Sequence, residues 1–206
     1  PNTDGCDPDS CTDVWIKDCH FSNGDDCIAI KSGRDHDGRR VNLPSQNIVI
    51  QNCVFEAGHG GVTMGSETAG GIRNVFAEHC SFDSADLDMA LRFKTNPARG
   101  GYIENIYIRN CTVKTAKFGI HATMRYSSSG AMEGEAAPRV RNIDIRDSKF
   151  GNLTKQPIFI EGYAETNKIT DVRIENCEFA SSRGGVTITN AARIQIIRCR
   201  GVVDRE

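Results

Sequence analysis

The sequence contains no CxxC pair, although nine of its 206 residues are cysteine. That absence removes the usual zinc signature and leaves disulfides or buried thiols to account for the sulfur. No apolar run approaches the roughly 20 residues that span a bilayer, so no membrane partner is expected. Basic residues are not in excess: 25 Lys plus Arg face 27 acids, and the net charge is −2. This balance excludes a general nucleic-acid binder. An initiator Met is lacking, as is a charged segment leading into an apolar one. The chain opens abruptly at Pro1-Asn2-Thr3-Asp4, which reads as a piece of a longer protein, so the missing leader says nothing about export. Helix signals are nearly absent. With 38% hydrophobic and 25% charged residues, the chain is expected to fold as one core or one elongated repeat body.

What is present is a repeat. Asp13 to Phe21 aligns with Asn47 to Phe55, Asn74 to Phe82, Asn105 to Val113, Asn142 to Phe150, Asp171 to Phe179 and a degenerate copy from Arg193 to Gly201. The shared pattern is [N/D]-[V/I]-x-[I/A]-x-x-C-x-F, with Ser148 in place of Cys in the fifth copy. Successive Cys positions are 34, 27, 31, 37, 29 and 22 residues apart. Apolar residues alternate with period two, so each copy predicts a strand. A second short strand follows each of the first six copies: Ile28-Ala29-Ile30, Val62-Thr63-Met64, Leu91-Arg92-Phe93, Ile120-His121-Ala122, Ile158-Phe159-Ile160 and Val186-Thr187-Ile188. Variable-length coils that repeat the same residue types at the same places predict an all-β fold, a β-solenoid, as a single domain over residues 1–206.

Equivalent residues of neighbouring coils should stack about 4.8 Å apart. Cys19, Cys53, Cys80, Cys111, Cys177 and Cys199 then become a ladder of small buried groups rather than disulfides, a reading that Ser148 supports. Asn47, Asn74, Asn105 and Asn142 are expected to form an Asn ladder at a turn. Cys6 and Cys11 lie outside the ladder, and a local disulfide between them is left open. The polar segment from Arg125 to Pro138 reads as a loop long enough to flank a site.

Anchoring each second strand on Ile28, Val62 and Leu91 places the chemistry. Asp25 and His59 both lie three residues before an anchor, and Asp26 follows Asp25. Arg92 and Lys94 point outward in the third coil, and Asp4 lies 22 residues before Asp26, about one coil earlier. Periodicity therefore gathers Asp4, Asp25, Asp26, His59, Arg92 and Lys94 on one face. Taken singly, each has an ordinary reading as a turn or surface residue; their conjunction does not. One protonated carboxyl beside ionised ones suits glycoside hydrolysis, where an acid protonates the leaving oxygen and a second carboxylate activates water or attacks. Paired cations suit a uronate carboxylate. A metal site is the competing use of clustered acids, and Arg92 with Lys94 would already neutralise part of it.

These residues closely resemble the motifs of the polygalacturonases, the family 28 glycoside hydrolases that cleave pectin. The family's Asn-Thr-Asp, Gly-Asp-Asp, Gly-His-Gly and Arg-Ile-Lys motifs stand here as Asn2-Thr3-Asp4, Gly24-Asp25-Asp26, Gly58-His59-Gly60 and Arg92-Phe93-Lys94. Ala29 to Asp35, Gly65-Ser66-Glu67 and Leu91 to Thr95 match its bacterial, exo-acting branch. The resemblance implies a right-handed parallel β-helix, here without its N-terminal coils, and an inverting hydrolase of α-1,4-linked galacturonan. Asp25 would be the general acid, Asp4 and Asp26 would activate water, and His59 would tune the acid or position substrate. Arg92 and Lys94 would hold the galacturonate carboxylate, with Tyr126 and Asn2 as further substrate-binding residues. No metal or cofactor is implied. The expected partner is an acidic polysaccharide or oligogalacturonide met by a secreted or periplasmic monomer. The resemblance to inverting enzymes carries an expected acid–base separation of about 6.5–9.5 Å. A rhamnogalacturonan hydrolase, a calcium-dependent pectate lyase and a non-catalytic polysaccharide-binding solenoid are the alternatives.

Overall fold

The computed structural model describes residues 2–127 and 134–201, so part of the loop expected between Arg125 and Pro138 lies outside the described residues. Each coil contributes strands to two sheets whose ladders are all parallel. The first sheet takes the seven repeat segments: Thr12–Lys17, Ser45–Gln51, Ile72–Glu78, Tyr102–Arg109, Arg139–Arg146, Ile169–Glu175 and Ala191–Ile197. They stand side by side in chain order, as a continuously wound coil requires. The second sheet has ten strands and holds the Phe positions together with the six expected second strands. Several of its strands are longer than the sequence suggests: Val54–Gly65, Thr112–Thr123 and Lys149–Glu161 run through both segments, with a register shift where they bend. The architecture is a right-handed parallel β-helix.

The interior follows the repeat. Ile28, Val62, Leu91, Ile120 and Ile158 form one buried row, in the register the anchors predict. Phe21 stacks on Phe55 and Phe55 on Phe82, at centroid distances of 5.4 and 4.7 Å; Phe150 and Phe179 repeat the contact at 4.5 Å. Val113 fills the row between the two stacks.

The polar ladders explain the two conserved-type positions of each coil. Asn74 donates through its side-chain amide to Asn47, Asn105 to Asn74 and Asn142 to Asn105, at 3.1, 3.1 and 2.7 Å; Asn47 in turn donates to Asp13. These residues sit within the strands, not at a turn, and each has a φ between 53 and 60°. Asn and Asp tolerate that left-handed conformation best among side-chain-bearing residues. The residue preceding each Cys position is a second left-handed corner: Asp18, Asn52, His79, Asn110, Asp147, Asn176 and Arg198.

All nine cysteines are free, Cys6 and Cys11 included, so the pairing left open between them is not formed. The ladder thiols donate to the carbonyl two residues back, at the end of the preceding strand, as Cys53 does to Gln51 and Cys177 to Glu175, both at 3.3 Å. Ser148 makes the same bond to Arg146 at 2.8 Å. Burial pushes the Cys53 thiol up to about 11 and that of Cys177 up to about 12, so both stay protonated and unreactive.

One helix, Asp35–Val41, departs from the all-strand expectation. It is too short to show a period, and Gly38 interrupts its propensity. Tertiary contacts hold it: Arg39 donates to the carbonyls of Ala98 and Arg99 at 2.8 and 3.0 Å, and Gly38 packs directly on Gly33. No helix among the described residues is long and apolar enough to cross a membrane.

Candidate active site

The coil register brings the predicted residues together. Cys6 pairs with Ile28, which sets Asp4 beside Asp26; the Asp26 N–H donates to Asp4 Oδ1 at 3.0 Å. Asp25 and His59 meet one coil apart: the His59 N–H donates to the Asp25 carbonyl, and Nδ1 lies 3.0 Å from Asp25 Oδ1. Thr63 faces Arg92 and Gly65 faces Lys94 in the next strand pair. One oxygen from each of Asp4, Asp25 and Asp26 lies within 4.8 Å of the others. They meet because Asp25 and Asp26 are sequence neighbours and Asp4 stacks beside them at the strand spacing.

Each carboxylate has a different environment. Asp26 is buried, 1% exposed, with Arg92 Nη1 on Oδ1 at 2.8 Å and Lys94 Nζ on Oδ2 at 2.5 Å; Thr63 adds a hydroxyl donor at 3.2 Å. Arg92 and Lys94 are themselves buried, and Tyr126 covers both, its ring centroid 5.4 and 4.8 Å from the two cations. Asp4 Oδ2 takes Lys31 Nζ at 2.9 Å, and Lys31 also holds Asp7. Burial works to raise the Asp4 pKa, but the Lys31 hydrogen bond and charge outweigh it and hold the carboxyl below its usual value. Asp25 is the most open of the three, with a side chain 30% exposed and paired with His59. Asn2 is exposed and does not line the cleft.

The Gly58-His59-Gly60 motif has a steric basis. A Cβ on Gly60 would stand 2.1 Å from Thr63 Oγ1, 2.6 Å from Asp26 Oδ1 and 3.0 Å from Arg92 Cδ. A Cβ on Gly58, whose φ is +148°, would strike the Asp25 carbonyl at 2.4 Å. The bare backbone at 60 is the gap through which Arg92 reaches across a coil to Asp26. Replacing Gly60 with Ala is expected to lower kcat by about 10- to 100-fold and stability by about 1–3 kcal/mol, as overpacking does; steady-state kinetics with chemical denaturation checks both.

Sequence reasoning missed Lys31, Asn23, Arg34 and Arg99. Lys31 lies three residues past the anchor Ile28, as Lys94 does past Leu91, so the same offset finds it. Asn23 draws the loop closed by donating to the carbonyls of Thr3, Asp25 and Asp26 at 3.0, 3.0 and 3.1 Å. Arg34 and Arg99 line the cleft with Glu67, Ser66 and the three aspartates, and nothing in the repeat marks them because they sit in the loops between coils. A cation at the three aspartates would compete with Lys31, Arg92 and Lys94 for most of their oxygens, a poor match to a calcium site with its 6–8 oxygen ligands.

His121 stands next to Arg92 in the following coil, stacked on Phe159 at 4.8 Å and edge-on to Phe118. Burial, then the Arg92 charge, lowers its pKa to about 4. The unfolded chain binds a proton there near pH 6.5 while the native chain does not, so native stability should fall between about pH 6.5 and 4 and level off below. The full loss is on the order of 3 kcal/mol. A His121→Phe variant, followed by denaturation across that range, should lose this part of the slope.

A cleft of three carboxylates and two buried cations on the flank of a parallel β-helix is a carbohydrate-active type of site. The chain belongs to the glycosyl hydrolases family 28, whose family model matches residues 1–195. It is 38% identical over 157 residues to a probable polygalacturonase of Vitis vinifera, covering 75% of this chain and 32% of that protein. It is 32% identical over 161 residues to an exo-poly-alpha-D-galacturonosidase of Dickeya chrysanthemi, covering 73% and 26%. The crystal structure of a hyperthermoactive exopolygalacturonase from Thermotoga maritima superposes with a TM-score of 0.86 at 33% identity, over 96% of this chain and 44% of that one. The chain thus spans about a third or less of the length of these curated relatives.

Proposed function

We propose that this chain carries the catalytic region of a polygalacturonase that hydrolyses α-1,4-linked galacturonan. The observation that carries this reading is the meeting of Asp4, Asp25 and Asp26 within 4.8 Å beside Arg92 and Lys94. Asp25 acts as general acid, because it is the exposed member and His59 fixes its carboxyl. Asp4 and Asp26 activate the attacking water, with Asp4 held ionised by Lys31. Arg92, Lys94 and Tyr126 form the wall that receives the sugar acid. The substrate is an extracellular polymer, so the enzyme acts outside the cytoplasm, as a monomer in which residues 1–206 are part of a larger β-helix domain.

The alternative reading, a retaining mechanism, would need one carboxylate free to attack the sugar. Against it, both oxygens of Asp26 are engaged by cations and both of Asp4 by donors, so neither is placed as a free nucleophile. Reducing sugar released from polygalacturonate by the intact protein tests the activity, and its absence would end the hydrolase reading. Proton NMR of the first product decides the stereochemistry: a β-anomer is expected, and an initial α-anomer would establish retention. Monomer release from the first minutes would mark exo action, mixed oligomers endo action.

A further inference from the structure

We propose that Asp7 is a positioning residue of this site: it shares Lys31 with the Asp4 carboxylate and hydrogen-bonds to it, and so keeps Asp4 charged for its part as a base. This rests on the hydrolase reading, in which Asp4 activates water, and adds to it a residue that does not line the cleft.

The start of the chain is laid along the segment that follows the aspartate pair. Gly5 and Cys6 donate through their backbone to the carbonyls of Asp26 and Cys27, and Ala29 and Lys31 donate back to Cys6 and Pro8, all four at 2.9 Å. This register brings Asp4 and Asp7 to one ammonium group. Lys31 Nζ stands 2.9 Å from Asp4 Oδ2 and 2.8 Å from Asp7 Oδ2, and the two carboxyls also hydrogen-bond each other. Asp4 lines the cleft with Lys31, and Asp7 is not among the lining residues. Asp7 therefore reaches the chemistry only through Asp4 and Lys31.

One cation faces two acids, so as the pH falls the first proton goes to one member of the pair. The contacts assign it to Asp7. Asp4 also accepts the Asp26 N–H at 3.0 Å, whereas among the described residues Asp7 has no donor besides Lys31 and Asp4. Burial works to raise both pKa values. At Asp7 the Asp4 charge adds to it and the value is raised; at Asp4 the bonds from Lys31 and Asp7 overcome it and the value is lowered. Burial also opposes the Lys31 charge, but the two acids outweigh it and keep the ammonium protonated. A protonated Asp7 is then a donor to the Asp4 carboxylate, which stays ionised to lower pH. The reaction needs this division, because Asp25 must hold its proton where Asp4 has lost its own. The other charged groups that line the cleft with Asp4 are Asp25, Asp26, Arg34, Glu67, Lys94 and Arg99, and the Cys6 thiol beside Asp7 is kept protonated by burial.

Two variants test the assignment. Asp7→Asn keeps a donor for Asp4 in its amide, and Asp7→Ala removes it. The Asp7 side chain is 37% exposed, so both are compatible with the fold. On polygalacturonate the acid limb of the kcat/KM profile should move up by about 0.5–1 pH unit in Asp7→Ala and stay near that of the wild type in Asp7→Asn. An NMR titration of the aspartate carboxyl carbons reads the same shift at Asp4 without turnover. In the wild type it should show Asp7 taking its proton at a higher pH than Asp4. The assignment is overturned by an Asp4 value that is unmoved or lowered in Asp7→Ala, by an Asp7→Asn limb displaced as far as that of Asp7→Ala, or by a wild type in which Asp4 is protonated first. A lower melting temperature with the limb in place would mark Asp7 as merely structural and overturn it too. A wild-type protein that leaves polygalacturonate uncut, with the NMR order as expected, would end the hydrolase reading while the pairing of Asp4 with Asp7 stands.

Discussion

An Asp25→Asn protein should keep its fold and lose its chemistry. Transfer of a proton by a positioned side chain contributes about 10²–10⁴-fold to a rate, and an amide in this place has no proton to give. The expected result is a fall in kcat of that size with stability changed by less than about 0.5 kcal/mol. The small structural cost follows from the surroundings: Asp25 is partly exposed, and an Asn Oδ1 still accepts the Asp26 N–H that Asp25 now takes at 2.9 Å. Kinetics on polygalacturonate, paired with a melting curve, reads both quantities. A rate near that of the wild type would remove Asp25 from the role of acid.

Asp26→Asn should fail in the other way, by losing stability as well as activity. Arg92 and Lys94 both rest on Asp26, and the side chains of all three are at most 10% exposed. Withdrawing the one anion leaves two cations in a site with little water, and breaking such a buried pair costs about 3–5 kcal/mol. In a denaturant titration this appears as a shifted midpoint with the slope retained. If Asp26→Asn were as stable as wild type, the two cations would have to find another anion, and the account of Arg92 as a side chain locked across the Gly60 gap would fail. The paired variants thus separate two neighbouring aspartates: the Asp25 variant is expected to lose rate alone, the Asp26 variant both rate and stability.

Most of the fold was legible because the β-helix writes its geometry in residue types. The inward rows need apolar side chains, the two left-handed corners favour Asn or Asp (with His79, Arg193 and Arg198 as the exceptions), and the Cys position needs a small donor that reaches back two residues; each requirement recurs once per coil. The site was legible for a related reason. Offsets from Ile28, Val62 and Leu91 located Asp25, His59, Arg92 and Lys94 because strand register carries them. Register does not say where a long side chain turns. Arg92 and Lys94 do lie on the face opposite the core residues Leu91 and Phe93, but their burial there was not legible, because it depends on the room Gly60 leaves for Arg92 and on Tyr126 covering both. The helix after Asp35 and the Arg34–Arg99 wall were not legible, since they depend on contacts between loops such as Arg39 with Ala98.

The winding also bears on how the protein acquires its structure. Paired residues lie between 22 positions apart, as Ile169 and Ala191 do, and 38, as Thr123 and Glu161 do. The sequence separation of a contact therefore stays near one coil however many coils are added. A chain of this kind can order by successive deposition, each finished coil serving as template for the next. The aspartates and their cations are contributed by the neighbouring turns that carry Asp4, Asp25, His59 and Arg92. No single turn holds a complete site, and the cluster should form as a late, all-or-none event when the strand bearing Arg92 and Lys94 docks on the three turns before it.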